Sequence, residues 1–334
     1  MLSIRGGPPG EQWRGSLRPR PGGRSRHPSN TRNWLGRWPA TVGILGFVLL
    51  ELVVSPSNGT RPDTVVQAAL VYSALTFIAM ALFGAEAWME RGEAFAVYFN
   101  LFSRLSVFER REGEVGLRRP LSGLASLEPL PGTVALLAVM IGSTSFDGLG
   151  EAPLWTGLAP HLSRWFSSLG LAPRDAVDAA FTLGLLACIA LVFVFYRLGI
   201  EGARSVGGGL SAGRLAGAFA HSLVPIALAY VSAHYLTFLV YQGQLIFPLA
   251  SDPLGHGTSA VGSIDCGVLG ATAVWYLQVA FVVGGHVAGL TLAHDRALAL
   301  YDRAKLAVRS QYWMLAVMVG FTSLALFILS QSNT

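Results

Sequence analysis

TVVQAALVYSALTFIAMALF, residues Thr64–Phe83, is a run of twenty residues without a single charge. As a helix rising ~1.5 Å per residue it reaches about 30 Å, the thickness of a bilayer's hydrocarbon core. Six further charge-poor blocks lie outward from it: Trp38–Val54, Thr133–Leu149, Val177–Tyr196, Leu215–Tyr241, Gly270–Ala293 and Trp313–Leu329. The whole chain of 334 residues is 52% hydrophobic and only 13% charged. That is half the ~25% charge of an average soluble domain. The pattern predicts an all-α, polytopic integral membrane helix bundle of about seven transmembrane helices, with the lipid bilayer as its first partner.

The basic residues set the orientation. With the N-terminus on the cytoplasmic side, 21 of the 24 Lys and Arg residues fall in inner segments, and the outer segments hold only Arg61, Arg164 and Arg174. Every loop then obeys the positive-inside bias, and a miscount of one helix would scramble it. The net charge of +5 is therefore a topology signal, and no nucleic-acid partner is expected. Residues 1–33 are rich in Arg, Pro and Gly without hydrophobic periodicity. They are expected to form a disordered basic arm, not a cleaved leader, since no short apolar region follows them at the right distance. The bundle itself is expected over 34–331.

Two stretches carry amphipathic stripes. Phe95, Tyr98, Phe99 and Phe102 mark one within 93–106, and Trp155, Leu158, Leu162, Trp165, Phe166 and Leu169 mark another within 153–169. Each fits a helix lying in the headgroup plane or a helix packed on the bundle. Turns are expected at Ser57-Asn58-Gly59, Gly207-Gly208-Gly209 and Asp252-Pro253.

Ionisable groups inside a membrane are costly and mark candidate sites. Four of the seven histidines, His221, His234, His286 and His294, fall within or at the ends of the fifth and sixth blocks. These blocks are expected to be antiparallel neighbours. Counting ~1.5 Å per residue places His221, His286 and His294 in one inner region, with Asp295 beside them, and His234 in the outer half near Gln278. The best metal-ligating pair is then His221 with His286, with His234 and His294 as further candidate ligands of a transition-metal ion. The histidine separations, 13 and eight residues, do not match, which argues against two stacked haems; a single haem is the lesser alternative. Hydrogen bonding between helices is the competing reading, for example from His234 to Gln278.

A second group of polar residues lies towards the outer side. Glu51 and Asp147 sit in the last turns of apolar blocks, and Asp175, Asp178, Asp252, His256 and Asp265 lie in or near outer loops. Some of these are expected to rim an outer cavity near His234, where carboxylates and an imidazole can bind a metal or activate water. The chain carries no phosphate-binding loop, no HExxH, no GxSxG and no dinucleotide fingerprint. Lys305, the single lysine, lies in an inner loop and offers no retinal attachment. Cys188 and Cys266 form no CxxC pair.

Several strings occur together: Tyr98-Phe-Asn-Leu-Phe-Ser-Arg104, Gly142-Ser-Thr-Ser-Phe-Asp-Gly148, His221-Ser-Leu-Val-Pro-Ile-Ala-Leu-Ala-Tyr230 with His234-Tyr235, Ala250-Ser-Asp-Pro-Leu-Gly255, Gly285-His286, Leu292-Ala-His-Asp-Arg-Ala-Leu298 and Arg309-Ser-Gln-Tyr312. Over about residues 37–331 the chain resembles a family of bacterial polytopic membrane proteins often labelled fenitrothion hydrolase. The resemblance implies a multi-pass protein of the bacterial cytoplasmic membrane and, by label, hydrolysis of organophosphate-type esters. It assigns no catalytic residue. Asp147, His221, His234, His286, His294 and Asp295 fall within its strings. Family members carry further N-terminal membrane helices and a longer loop after Leu254, so this chain is expected to be N-terminally short.

Three functions fit these residues. One is a His-ligated, metal-dependent, hydrolase-like membrane enzyme. Another is a small-solute or ion transporter with the same groups lining a polar pathway. The third is a structural or accessory subunit, joined to a partner membrane subunit or to its own copies.

Overall fold

The computed structural model describes residues 34–54, 61–111, 114–257 and 264–332. The expected basic arm of residues 1–33 and the Ser57-Asn58-Gly59 turn lie outside the described residues. The bundle is all-α apart from one small hairpin. Helix α1 (Trp38–Leu49) continues as a π-helical turn over Leu50–Val54; α2 (Pro62–Phe83), α3 (Ala85–Arg91) and α4 (Ala94–Ser103) follow. Strands β1 (Phe108–Arg111) and β2 (Glu114–Leu117) pair antiparallel. Then come α5 (Thr133–Gly150), α6 (Pro153–Ser168), α7 (Pro173–Ser205) and α8 (Ala212–Phe219). A 3-10 turn, Ala220–Ser222, leads into α9 (Leu223–His234), and α10 (Leu236–Tyr241), α11 (Ile246–Ser251), α12 (Ala271–Leu300) and α13 (Ala304–Ser332) complete the chain.

Six helical segments among the described residues are long and apolar enough to cross a membrane: Pro62–Phe83, Thr133–Gly150, Pro173–Ser205, Ala212–His234, Ala271–Leu300 and Ala304–Phe327. The first expected span, Trp38–Val54, is apolar but shorter, and its 17 residues reach about 25 Å against the ~30 Å of a hydrocarbon core. The expected fifth span also differs. It does not run unbroken to Tyr241; the helix ends at His234 and the chain bends at Tyr235.

Polar contacts tie several helix ends together on the arginine-rich side. Arg37, only 5% exposed, reaches from the start of α1 to the Thr133 hydroxyl at 2.8 Å and the Glu128 carbonyl at 3.2 Å. Burial, with the neighbouring Arg104 charge, pulls its guanidinium down to about 10, so it stays charged at neutral pH. On the same side Arg296 donates to the Ala125 carbonyl, and the Tyr301 hydroxyl donates to the Ala203 carbonyl. The glycines at 207–209 all take positive φ, as the turn there requires.

Both amphipathic stretches are helical, but their buried faces only partly follow the aromatic stripes. Helix α4 buries Ala94, Val97 and Leu101, with Phe95, Tyr98 and Phe102 packed alongside, while Phe99 is 63% exposed. Helix α6 buries Trp155 and Ala159 and leaves Leu158 and Trp165 exposed, as is Leu169 just after it. On α2 the Tyr72 hydroxyl donates to Glu93, which also caps α4 by accepting from the Ala96 N–H.

Helices α9 and α12 approach closely because glycines lie between them. A Cβ on Gly285 would stand 2.3 Å from the Ala229 Cβ and 2.9 Å from the Pro225 carbonyl, whereas one on Gly284 would meet nothing within 4 Å. Gly285→Ala is therefore expected to destabilise the bundle by about 1–3 kcal/mol, the usual cost of overpacking. Gly284→Ala is expected to leave stability unchanged, and thermal unfolding in detergent compares the two directly.

Candidate functional site

Glu51, Asp147 and His234 come from three separate elements. The π turn ending α1 carries Glu51, the last turn of α5 carries Asp147, and the last residue of α9 is His234. Pi-helical turns displace one residue from the helical ladder and recur at functional sites. The His234 Nε2 atom lies 2.7 Å from Asp147 Oδ2, and both side chains are a little over a quarter exposed. Tyr235, at the bend, hydrogen-bonds Asp147 as well. Glu51 lies within electrostatic reach of both partners, repelled by Asp147 and attracted by His234. Tyr98, from α4, lies within reach of Glu51.

The local packing explains why these groups meet. On α5, Phe146 stacks edge-on against Trp155 and Phe181, turning one face of the helix into α6 and α7. The next residue, Asp147, lies about 100° round the helix, on the side of α9. Gly148 passes close to the imidazole, where a Cβ would stand 3.7 Å from His234 Nδ1, an ordinary contact. Gln278, 5% exposed on α12, donates to the Ala233 carbonyl at 3.1 Å. It is thus level with His234, as counting along the helices predicts, although it bonds the backbone beside it.

The remaining histidines are distributed along the α9–α12 pair. His221, 4% exposed, hydrogen-bonds the Ala218 and Leu292 carbonyls, with Asp295 and Arg296 within electrostatic reach. His286, also 4% exposed, has Nδ1 2.7 Å from the Val282 carbonyl on its own helix. His294 Nδ1 lies 2.5 Å from the Gln311 amide oxygen on α13. The structure does not bring His221 and His286 together. Leu292 is six residues, ~9 Å, beyond His286 along α12, and the His286 ring leans back towards Val282, away from it. Among the described residues no three His, Cys, Asp or Glu side chains are grouped to hold a metal ion. Helical counting gives the level of each histidine but not its direction, which side-chain rotamer and neighbours decide.

Of the outer-loop residues, Asp252 accepts from the backbone N–H groups of His256 and Gly257, and Asp265 accepts from the Gly267 N–H; they cap turns. Tyr98 and Tyr235 join the site without any prediction from the sequence. The signal for Tyr235 is its place beside His234; Tyr98 is masked by its place in an aromatic stripe.

No protein-family model, no curated protein and no solved structure matches this chain. The chemistry therefore rests on the residues themselves. One imidazole, two carboxyl groups and two phenols supply proton donors and acceptors whose total charge depends on how many protons they hold. At an apolar site such a cluster binds or passes protons more readily than it holds fixed charge.

Asp147→Asn and His234→Asn are each expected to lower stability, with a coupling of about 1 kcal/mol between them in a double-mutant cycle. Thermal unfolding of the four proteins in one detergent measures it. Strictly additive effects would mean that the pair contributes nothing.

Proposed function

We propose that this multi-pass membrane protein binds protons at the Glu51–Asp147–His234 cluster and couples proton binding to transport of a small solute or ion. One observation supports this above the others: the 2.7 Å contact between His234 and Asp147 joins two helix ends among apolar spans. Intramembrane carboxylate–histidine groups serve as proton relays in pumps and transporters. Glu51 adds a second carboxyl group, so the cluster has capacity for more than one proton. The arginine asymmetry supports a cytoplasmic N-terminus, which puts this cluster towards the outer face.

The same pair also fits hydrolysis, the activity that the resemblance over residues 37–331 implies by label. A carboxylate that orients an imidazole prepares it to take a proton from water. In that reading His234 is the base and Asp147 its positioning partner.

Two measurements distinguish these readings. Reconstituted into liposomes containing a pH-sensitive dye, the protein is expected to move protons when a gradient is imposed. Asp147→Asn and Glu51→Gln are expected to slow that movement about tenfold or more, in keeping with the contribution of a positioned proton-transfer group. If release of a nitrophenol from a phosphorothioate ester depends on His234 while proton movement is absent, hydrolysis replaces transport. A third measurement fixes the orientation. Cys266, exposed in the segment before α12, is expected to react with a membrane-impermeant maleimide from the outside of intact cells. Labelling only after the membrane is opened would reverse the assigned topology.

A further inference from the structure

Helices α12 and α13 pack side by side, yet towards the arginine-rich end they leave a groove between them. Its volume is about 360 Å³, and Leu290 and His294 on α12 line it with Val308, Gln311, Tyr312 and Leu315 on α13. That is within the ~300–1,000 Å³ of ordinary ligand pockets. Only residues 301–303 join the two helices, so they run antiparallel. The contact of His294 with Gln311 sets their register and brings Leu290 level with Leu315.

The groove changes character along its length. Its deeper part, at Leu290 and Leu315, is apolar. Half-way along, His294 Nδ1 lies 2.5 Å from the Gln311 amide oxygen; that oxygen only accepts, so Nδ1 carries the hydrogen. The other ring nitrogen, Nε2, then keeps a lone pair for a ligand hydroxyl. At the mouth, Lys305, Val308, Arg309 and Tyr312 follow the i, i+3, i+4, i+7 spacing of one helical face. Both cations are exposed, and among the described residues neither has an acidic partner. Asp295, the residue after His294, lies about 100° round α12, within electrostatic reach of His221.

The groove opens away from the bundle, since Val308, Tyr312 and Leu315 are all exposed. On helices long and apolar enough to cross a membrane, such a face meets lipid. Tyr312 and Trp313, side by side and both exposed, match the aromatic belt at a membrane–water boundary. The mouth of the groove therefore stands at headgroup level and its apolar part at the level of the acyl chains.

We infer that the groove between α12 and α13 binds one anionic phospholipid from the leaflet at the arginine-rich end. The phosphate lies at Lys305 and Arg309, a headgroup hydroxyl donates to His294 Nε2, and an acyl chain runs along Leu290 and Leu315. Basic pockets between membrane helices select anionic headgroups in this way. The apolar part selects a lipid over a soluble anion. A second copy of this chain would bring its own arginine-rich end against the same cations, and like charges repel. The inference does not depend on the proton-binding reading of the outer cluster.

The test is native mass spectrometry of the full chain, stripped of lipid in detergent and titrated with phosphatidylglycerol or with phosphatidylcholine of the same chain length. One phosphatidylglycerol is expected to bind about tenfold or more tighter than phosphatidylcholine. Lys305→Gln and Arg309→Gln are each expected to weaken it about fivefold, the weight of one basic residue near an anionic lipid. Both side chains are exposed, so these variants keep the fold. Leu315→Trp, which fills the apolar part from an exposed position, is expected to weaken both lipids alike. Excess inorganic phosphate is expected to displace neither. Equal affinity for the two lipids, or unchanged phosphatidylglycerol affinity in the Lys305→Gln, Arg309→Gln double variant, overturns the inference. Displacement by inorganic phosphate overturns it in favour of a soluble anion, and a dimer that Leu315→Trp abolishes overturns it in favour of a second copy.

Discussion

Hydrocarbon offers no hydrogen-bond partner, and that constraint orders the whole molecule. The backbone answers it by closing into helices. Small hydroxyl side chains answer it locally: Thr144 and Ser145 donate to the carbonyls of Met140 and Ile141, Thr291 to Val287, and Thr322 to Met318. These bonds stay within one helix and carry no tertiary information. The polar groups that cross between elements are few, and they are the informative ones. Tyr196 reaches the Ala216 carbonyl, Tyr301 reaches Ala203, Gln278 reaches Ala233 and His234 reaches Asp147. The first two hold helix ends on the arginine-rich side, and the last two gather at the opposite end.

The helices were legible in the sequence because a span needs length and apolarity, and both can be counted. Orientation was expected from arginine placement, which depends on loops and not on packing. The breaks were less legible. The first apolar block is as hydrophobic as the others, but its 17 residues fall at the short limit, and the π turn at Leu50–Val54 leaves no compositional trace. The bend at Tyr235 was hidden within an unbroken apolar run from Leu215 to Tyr241.

The candidate site was legible in part, for a definite reason. An acid in the last turn of an apolar span is conspicuous, so Glu51 and Asp147 could be singled out and placed on the side of His234. Depth along a helix follows from residue number, which is why Gln278 and His234 fall level. Direction does not follow from number. Counting put His221 and His286 in one leaflet, yet the His286 ring turns back to Val282 while His221 meets Leu292. Tyr98 comes within electrostatic reach of Glu51 because α4 packs on α1, where Ala94 lies against Gly43, a contact between segments some forty residues apart that no local spacing encodes.

The two ends of the histidine series differ in a way that bears on mechanism. His234 and Asp147 are a little over a quarter exposed and in contact with each other. His286 is 4% exposed and lies among the Tyr230 and Phe321 rings with Nδ1 on the Val282 carbonyl. Under the proton-binding reading, exchange with the surroundings belongs to the outer pair, and His286 is shielded from it.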